Sequence, residues 1–519
     1  MTPLLAFFHM SSKNFAHWVT SLWLFGIGVI LAGLVVFVVW SLLKAVAPKY
    51  ADRCTEAIRG SILFPITMVM LIWAAIGILG TFAVQEPASI LNSLRRLPYA
   101  GATDHKIEIP ALAQLNEDGS VPANPLEITV DSDELAKLNI SADGRFDLVA
   151  RIIGEPEDVA TYTIREGSDW QWSRGDKAFL SRKLPPGQMV EFYARNDSDQ
   201  PIEGIMTVTI EPEHVEAVSI FQTALIVASL YFIYFAYSMF FPKTAAISEA
   251  TATSEISQLL FMLCAVIGCL FMIVAIYLPY QTFGEDIKVL KHTGLQVMLI
   301  LGMVVAIWAS STSISDEIEG KTALTLLSKP VSRRQFIIGK FLGIVGVVAV
   351  LFVMITLFFL PAVASKPMFD SREGATFEYE RFGEKGISWQ LLHEETVDVV
   401  PGVVLVFLET VVLASVSVAI STRLPMIANF LITFGVYAMG HLTPAIMQVS
   451  AQGFEPVKFV ASLLATVLPV LENFEIYGAI SAGREVPLEY IGLSACFAIL
   501  YSLMAMFLAL ILFEDRDLA

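Results

Sequence analysis

Apolar residues in this chain gather into runs of roughly 20, separated by short polar stretches and one long one. A run of that length, rising ~1.5 Å per residue as a helix, crosses the ~30 Å hydrocarbon layer of a bilayer. Backbone N–H and C=O groups find no water there, so each run must close its hydrogen bonds within a helix. The runs predict spans at 21–43, 61–83, 217–241, 258–278, 293–312, 337–360, 401–420, 426–442 and 490–513. The run at 457–470 is shorter, carries Lys458 and ends at Pro469, so it is read as re-entrant or interfacial. The first run starts late, is long and has almost no basic residues before it, which fits a retained helix and not a cleaved signal.

Residues 85–215 follow a different period. Met206-Thr207-Val208-Thr209-Ile210 alternates strictly, and 146–152 and 190–194 alternate more loosely. Turn signals at Asp143-Gly144, Pro185-Pro186-Gly187 and Asn196-Asp197-Ser198 separate them. Short strands so spaced predict a β-sandwich-like domain. Trp170 and Trp172 flank Gln171, so both rings are placed on one strand face, either as a contact for a sugar or partner or as core filling. The predicted fold class is an α-helical polytopic membrane protein of about nine spans carrying one β-sandwich-like domain.

Charge orients the spans. Basic residues concentrate in cytoplasmic loops, and Lys44, Lys49, Arg53 and Arg59 lie between the first two spans. Lys321, Lys329, Arg333, Arg334 and Lys340 lie between the fifth and sixth. Nine spans satisfy both placements and put the N-terminus and 85–215 outside and the C-terminus inside, as expected of a multi-pass plasma-membrane protein. Segment 85–215 holds 23 acidic and 12 basic residues, so most of the net charge of −17 resides there. That acidity excludes nucleic acid as a partner, and no calcium-loop spacing occurs in it. Cys54, Cys264, Cys269 and Cys496 all fall outside that segment and are read as buried thiols, with no zinc-ligand spacing.

The stretch 315–340 has the most specific local chemistry. Asp316, Glu317 and Glu319 place negative charge at the start of a short helix, where the dipole favours it. Ala323, Leu324, Leu326 and Leu327 form an apolar face, and Thr322, Thr325, Ser328 and Lys329 are polar. Pro330 stops that helix. Ser332 caps the next one, with Gln335 completing a capping box. Gly320-Lys321-Thr322 is not a phosphate loop, since Ser315 stands where that motif needs glycine and a membrane helix stands where it needs a strand.

This segment resembles the signature of ABC-2 type permeases, E-x-E-x-G-T-x-x-x-L-L-x-x-P-V-S-R-x-x-x-x-x-G-K. Glu317, Glu319, Thr322, Leu326, Leu327, Pro330, Val331, Ser332, Arg333, Gly339 and Lys340 match it. Lys321 stands where the family usually has glycine, and Gly320 comes one place early. Leu468-Pro469, Asn473-Phe474 and the ending Phe513-Glu514-Asp515-Arg516-Asp517-Leu518 are also similar to the family. The resemblance covers about 257–519 and implies a six-helix permease core driven by a separate ATP-binding subunit, with ATP and magnesium on that subunit and no cofactor bound here. It implies a second permease copy or a related permease as partner. It makes the short helix a coupling helix, with Glu317, Glu319, Thr322, Leu326, Leu327, Pro330 and Arg333 forming or positioning the contact.

The chain then divides into a two-helix unit (1–84), the β-rich domain (85–215), a third helix with a cytoplasmic linker (216–256) and the core (257–519). The β-rich domain is placed to meet another envelope protein. Glu409 lies inside the seventh span, where a carboxylate is costly. It lines a pathway or carries a proton, or it is a protonated packing group. His441 is read as interfacial, and Glu472 and Glu475 as a solvated rim or re-entrant helix ends. Two rival functions remain: a secondary transporter, which predicts inverted repeats and several intramembrane charges, and an envelope scaffold that transmits ATP-driven motion without transport.

Overall fold

Mean strand and helix patterns of the chain are realised in a computed structural model that describes residues 12–60, 62–112, 121–132, 134–154, 158–167, 169–173, 188–212, 214–278, 286–315, 317, 332–370, 388–450, 459, 462–463, 466–476, 478–479 and 486–514. The chain forms two compact units, one of residues 86–218 and one of 1–85 with 219–519.

The smaller unit opens with α4 (Pro87–Arg96), numbered after three helices of the larger unit. Eight strands follow: β1 (Gly101–Ile109), β2 (Asn124–Asp131), β3 (Leu135–Ala142), β4 (Phe146–Ile152), β5 (Asp158–Ile164), β6 (Trp170–Ser173), β7 (Met189–Arg195) and β8 (Ile202–Ile210). They pair antiparallel into two sheets, ordered β1-β8-β3-β6 and β2-β7-β4-β5. Inward residues of both sheets, among them Leu138, Met206, Leu148 and Phe192, meet in one core, as alternation along each strand dictates. Trp172 is 5 % exposed within that core. Trp170 is half-buried, its ring 4.8 Å from that of Tyr162, so it bridges the edge strands β6 and β5. The ring of Trp172 is therefore consumed by packing and has little surface to offer a partner. Asn196 builds the expected turn: its Oδ1 accepts from Ser198 N at 2.9 Å and its Nδ2 donates to Gln200 O at 2.8 Å.

In the larger unit, α1 (Ser12–Val46), α2 (Pro48–Gly60) and α3 (Leu63–Gly80) precede the β-rich insertion. After it come α5 (Val218–Phe240), α6 (Pro242–Ile256), α7 (Leu259–Tyr277) and α8 (Asp286–Ser310), which ends in a π turn, Ser311–Ser315. Then follow α9 (Arg333–Asp370), α10 (Trp389–Val397), α11 (Val400–Ser421), α12 (Met426–Ser450) and α13 (Leu488–Glu514). Among the described residues, nine helical segments are long and apolar enough to cross a membrane. Of the segment 457–470, residues 459, 462–463 and 466–470 are among the described ones.

Helix ends depart from the hydropathy pattern where charges are paired. The fifth span starts at Asp286, not at 293, because Asp286 and Lys291 are buried against Lys366 at 3.5 Å and Glu395 at 2.7 Å. The sixth runs through Pro361 and Pro367 instead of stopping at 360. Its apolar face continues with Ala362, Val363 and Ala364 fully buried, and Lys366 Nζ donates to Leu278 O at 2.8 Å.

Two helices expected only as loop or linker, α2 and α6, bury small residues. α6 lays Thr244, Ala245, Ser248, Thr251 and Ala252 along the first part of α9. A Cβ at Gly339 would meet Ile247, and one at Gly343 would meet Ser248 O, both at 2.8 Å. Small residues let helix backbones approach where lipid gives no hydrophobic drive.

The closest such approach joins α1 to α3. A Cβ on Gly26 would lie 2.5 Å from backbone atoms of Gly77, which cannot turn aside. Gly26→Val is expected to destabilise the full chain by about 1–3 kcal/mol, whereas Gly33→Val, which meets nothing within 4 Å, leaves the thermal midpoint in detergent unchanged. In the sandwich, Asp158 accepts from Arg151 Nε at 2.7 Å and Arg195 Nη2 at 2.5 Å, joining β5, β4 and β7. Partial burial pushes its carboxyl up, but the two guanidinium partners outweigh this and hold it below the ordinary carboxylate value. A depressed folded value stabilises the fold above the carboxylate range, and the gain is lost as pH falls through it. Asp158→Asn is expected to flatten that acid limb in pH-dependent melting, by less than about 1 kcal/mol because the pair is partly solvated.

Candidate functional site

The residues flanking the expected coupling segment are held by local chemistry that the sequence dictates. Ser332 Oγ accepts from Gln335 N at 3.2 Å and Gln335 Oε1 accepts from Ser332 N at 3.1 Å, the reciprocal capping box that starts α9. Arg333 Nη1 donates to Glu514 O at 3.0 Å, and its guanidinium lies 5.8 Å from the centre of the Phe513 ring. Phe336 stacks on Phe513 at 5.9 Å. The start of α9 is thereby fastened to the end of α13. Across the segment, Glu317 Oε1 accepts from Lys340 Nζ at 2.6 Å, and Lys340 is 5 % exposed. A cation so buried needs a partner, and Glu317 supplies it. Glu319, Thr322, Leu326, Leu327 and Pro330 lie outside the described residues.

The end of α8 is anchored as firmly. Thr312 Oγ1 donates to Glu255 Oε2 at 2.9 Å, with Glu255 4 % exposed at the end of α6. Trp308 Nε1 donates to Gln258 at 2.5 Å, and Ser315 Oγ donates to Leu424 O at 3.3 Å. The π turn gives these hydroxyls their directions. Such turns interrupt the α-helical period and recur at functional sites.

Behind the turn sits a buried network that sequence reading missed. Asn429 Nδ2 is placed to donate to Ser311 at 2.9 Å and to Ser310 and Ser417 at 3.1 and 2.9 Å. Its Oδ1 accepts from Thr433 at 3.1 Å. Ser310 and Ser417 are 2.5 Å apart. All five residues are fully buried, and they tie α8, α11 and α12 together behind the π turn. The signal was present only as polar residues inside apolar runs, at positions separated by more than a hundred residues.

Farther along the same helices, Glu409 of α11 is completely buried, and its Oε1 lies 3.5 Å from His441 Nε2 on α12. His441, its side chain 21 % exposed, thus meets a fully buried carboxylate from a partly open position. At the opposite end of α8 from the π turn, Ser21 of α1 lies within hydrogen-bonding distance of His393 and Thr396 in α10, at 3.3 and 3.4 Å. These contacts join the first helix to the remainder of the membrane unit.

Asn429→Leu removes the hub and leaves the Thr433 hydroxyl without its acceptor, while Ser311 keeps its bond to Ile307 O. Each stranded buried group costs about 1–3 kcal/mol. The expected outcome is a lowered thermal midpoint in detergent, with Asn429→Gln intermediate because it keeps the amide.

Six candidate membrane spans among the described residues from α7 onward, the capped start of α9 and the sequence signature ahead of it fall in a region with a known family pattern. A model of the family described as ABC-2 family transporter protein matches residues 216–518, more than half of the chain. No curated protein matches the chain. The match spans α5 through α13 and includes both flanks of the signature segment. The chain belongs to the ABC-2 family of transporter membrane proteins.

Proposed function

We propose that this permease is the membrane subunit of an ATP-driven exporter, coupled to a separate ATP-binding subunit through residues 316–331 on the cytoplasmic side. The observation that carries this reading is the fastening of both flanks of that segment. Glu317 is tied to Lys340 and Arg333 to the end of α13, so force applied to the segment reaches α8, α9 and α13 directly. Family membership supports the ATPase partner, since an ABC-2 permease works with one. The basic residues Lys44, Lys49, Arg53 and Arg59 support a cytoplasmic placement for the same membrane face, which puts the sandwich outside. ATP hydrolysis belongs to the partner. A second permease copy, or a related permease, completes the pathway between two membrane halves.

In this reading Glu319, Thr322, Leu326 and Leu327 meet the ATPase, whereas Glu317, Pro330 and Arg333 set the angle at which the segment is offered. The chain purified in mild detergent from its own cells is expected to bring down a nucleotide-binding subunit. Glu319→Lys leaves the Glu317–Lys340 pair intact and is expected to reduce that recovery about tenfold, a loss of about 1.4 kcal/mol. Recovery of no nucleotide-binding subunit with the unaltered chain, or labelling of the segment from outside the cell, would overturn the proposal.

A further inference from the structure

Neither carboxylate oxygen of Glu409 has a hydrogen-bond partner among the described residues, and the residue is 0 % exposed. A bare carboxylate so placed is among the most expensive groups a membrane core can hold. His441 is the neighbour that resolves the cost. Its Nδ1 lies 3.2 Å from Tyr437 O, and a carbonyl oxygen only accepts, so Nδ1 carries a hydrogen. In a neutral imidazole the second nitrogen is then a lone pair, and Nε2 faces Glu409 Oε1 at 3.5 Å. Two lone pairs so opposed repel. A proton between them removes the repulsion, whether it rides on the carboxyl or on the imidazole.

We propose that Glu409 and His441 form a proton-binding site in the permease core, holding one proton between Oε1 and Nε2. The pair then carries no net charge. Because Glu409 is fully enclosed, the ligand it takes in this conformation is the smallest cation. The surroundings fit a proton held by this pair alone. On α12, Tyr437 packs on the imidazole at 4.8 Å between ring centres. From α8 and α9, Gly302 and Phe352 lie beside Thr410, the residue next to Glu409. The tyrosines of α13 are engaged elsewhere, Tyr490 donating to Asn473 O and Tyr501 to Val467 O. On α10, His393 bonds Ser21 and Glu395 pairs with Lys291. Glu475 is exposed just beyond the short helix Leu471–Phe474, which packs against α11 and α12.

The site follows from the geometry of α11 and α12 and stands apart from the coupling reading. Loss of the proton would leave a buried carboxylate facing a lone pair, so any state that releases it must first admit water. Proton release and opening of the core are thereby linked.

Nitrogen NMR of the full chain in lipid nanodiscs, with ¹⁵N-histidine and the His441 signal assigned by its loss in His441→Phe, tests this directly. At neutral pH the expected Nε2 shift is that of a protonated or proton-sharing nitrogen. In Glu409→Leu the Nε2 signal at neutral pH is expected to move to the position of a bare imidazole nitrogen. A bare Nε2 in the unaltered chain at neutral pH overturns the proposal without reference to any variant. An unchanged Nε2 signal in Glu409→Leu, in protein that retains its thermal transition, overturns it as well.

Discussion

Hydrocarbon offers a buried polar group nothing to bond, and that constraint governs how this membrane unit is built. A buried hydroxyl can bond a carbonyl of its own helix, as Thr410 and Ser415 do, but a buried charge needs a partner on another helix, and each such partner fixes two helices at once. Asp286 with Lys366 ties α8 to α9, and Lys291 with Glu395 ties α8 to α10. Asn429 ties α8, α11 and α12 through serine and threonine hydroxyls. Apolar contact in lipid holds helices together but fits many registers. The polar contacts select one, because a shift of register would leave several groups unpaired.

Between these points the helices approach through small residues. α9 carries Gly339, Gly343 and Gly346 along one face, where added side chains would strike Ile247, Thr251 and Ile62. This single stripe receives both α6 and the start of α3. Residues before the family-matched region are therefore packed against its longest helix, and Ser21, His393 and Thr396 add a polar bond between them. The extra helices are integral to the membrane unit.

Much of this was legible in the sequence, for reasons that mark where legibility ends. Spans read well because length and hydrophobicity alone define them. The capping box at Ser332 and Gln335 read well because it is local. Strand pairs around Val208, Leu148 and Phe192 followed from alternation. What failed was long-range. The fifth span lost its first turns because hydropathy counts Lys291 as a stop, whereas the fold buries it against Glu395. α6 is rich in Ala, Ser and Thr, and its contrast is too low to register as amphipathic until Gly339 and Gly343 are seen beneath it. Glu409 was visible as an anomaly, but His441 was not visible as its partner, since nothing local connects them. Trp170 and Trp172 shared a strand as expected, yet the sandwich drew Trp172 into its core.

The polar contacts differ in how readily they yield, and this orders the motions open to the proposed exporter. Glu317–Lys340 joins a partly buried carboxylate to a buried cation, so separating them strands a charge. The Asn429 network contains only neutral groups, several of which both donate and accept, and it can exchange partners without exposing charge. Motion entering at the proposed coupling segment should therefore carry the start of α9 with Glu317 as one piece and be absorbed where α8, α11 and α12 meet. The hydroxyl network is then the hinge and the ion pair the handle. Interiors packed this closely move between discrete arrangements and do not deform continuously, and a hinge made of interchangeable hydrogen bonds allows two such arrangements at similar cost.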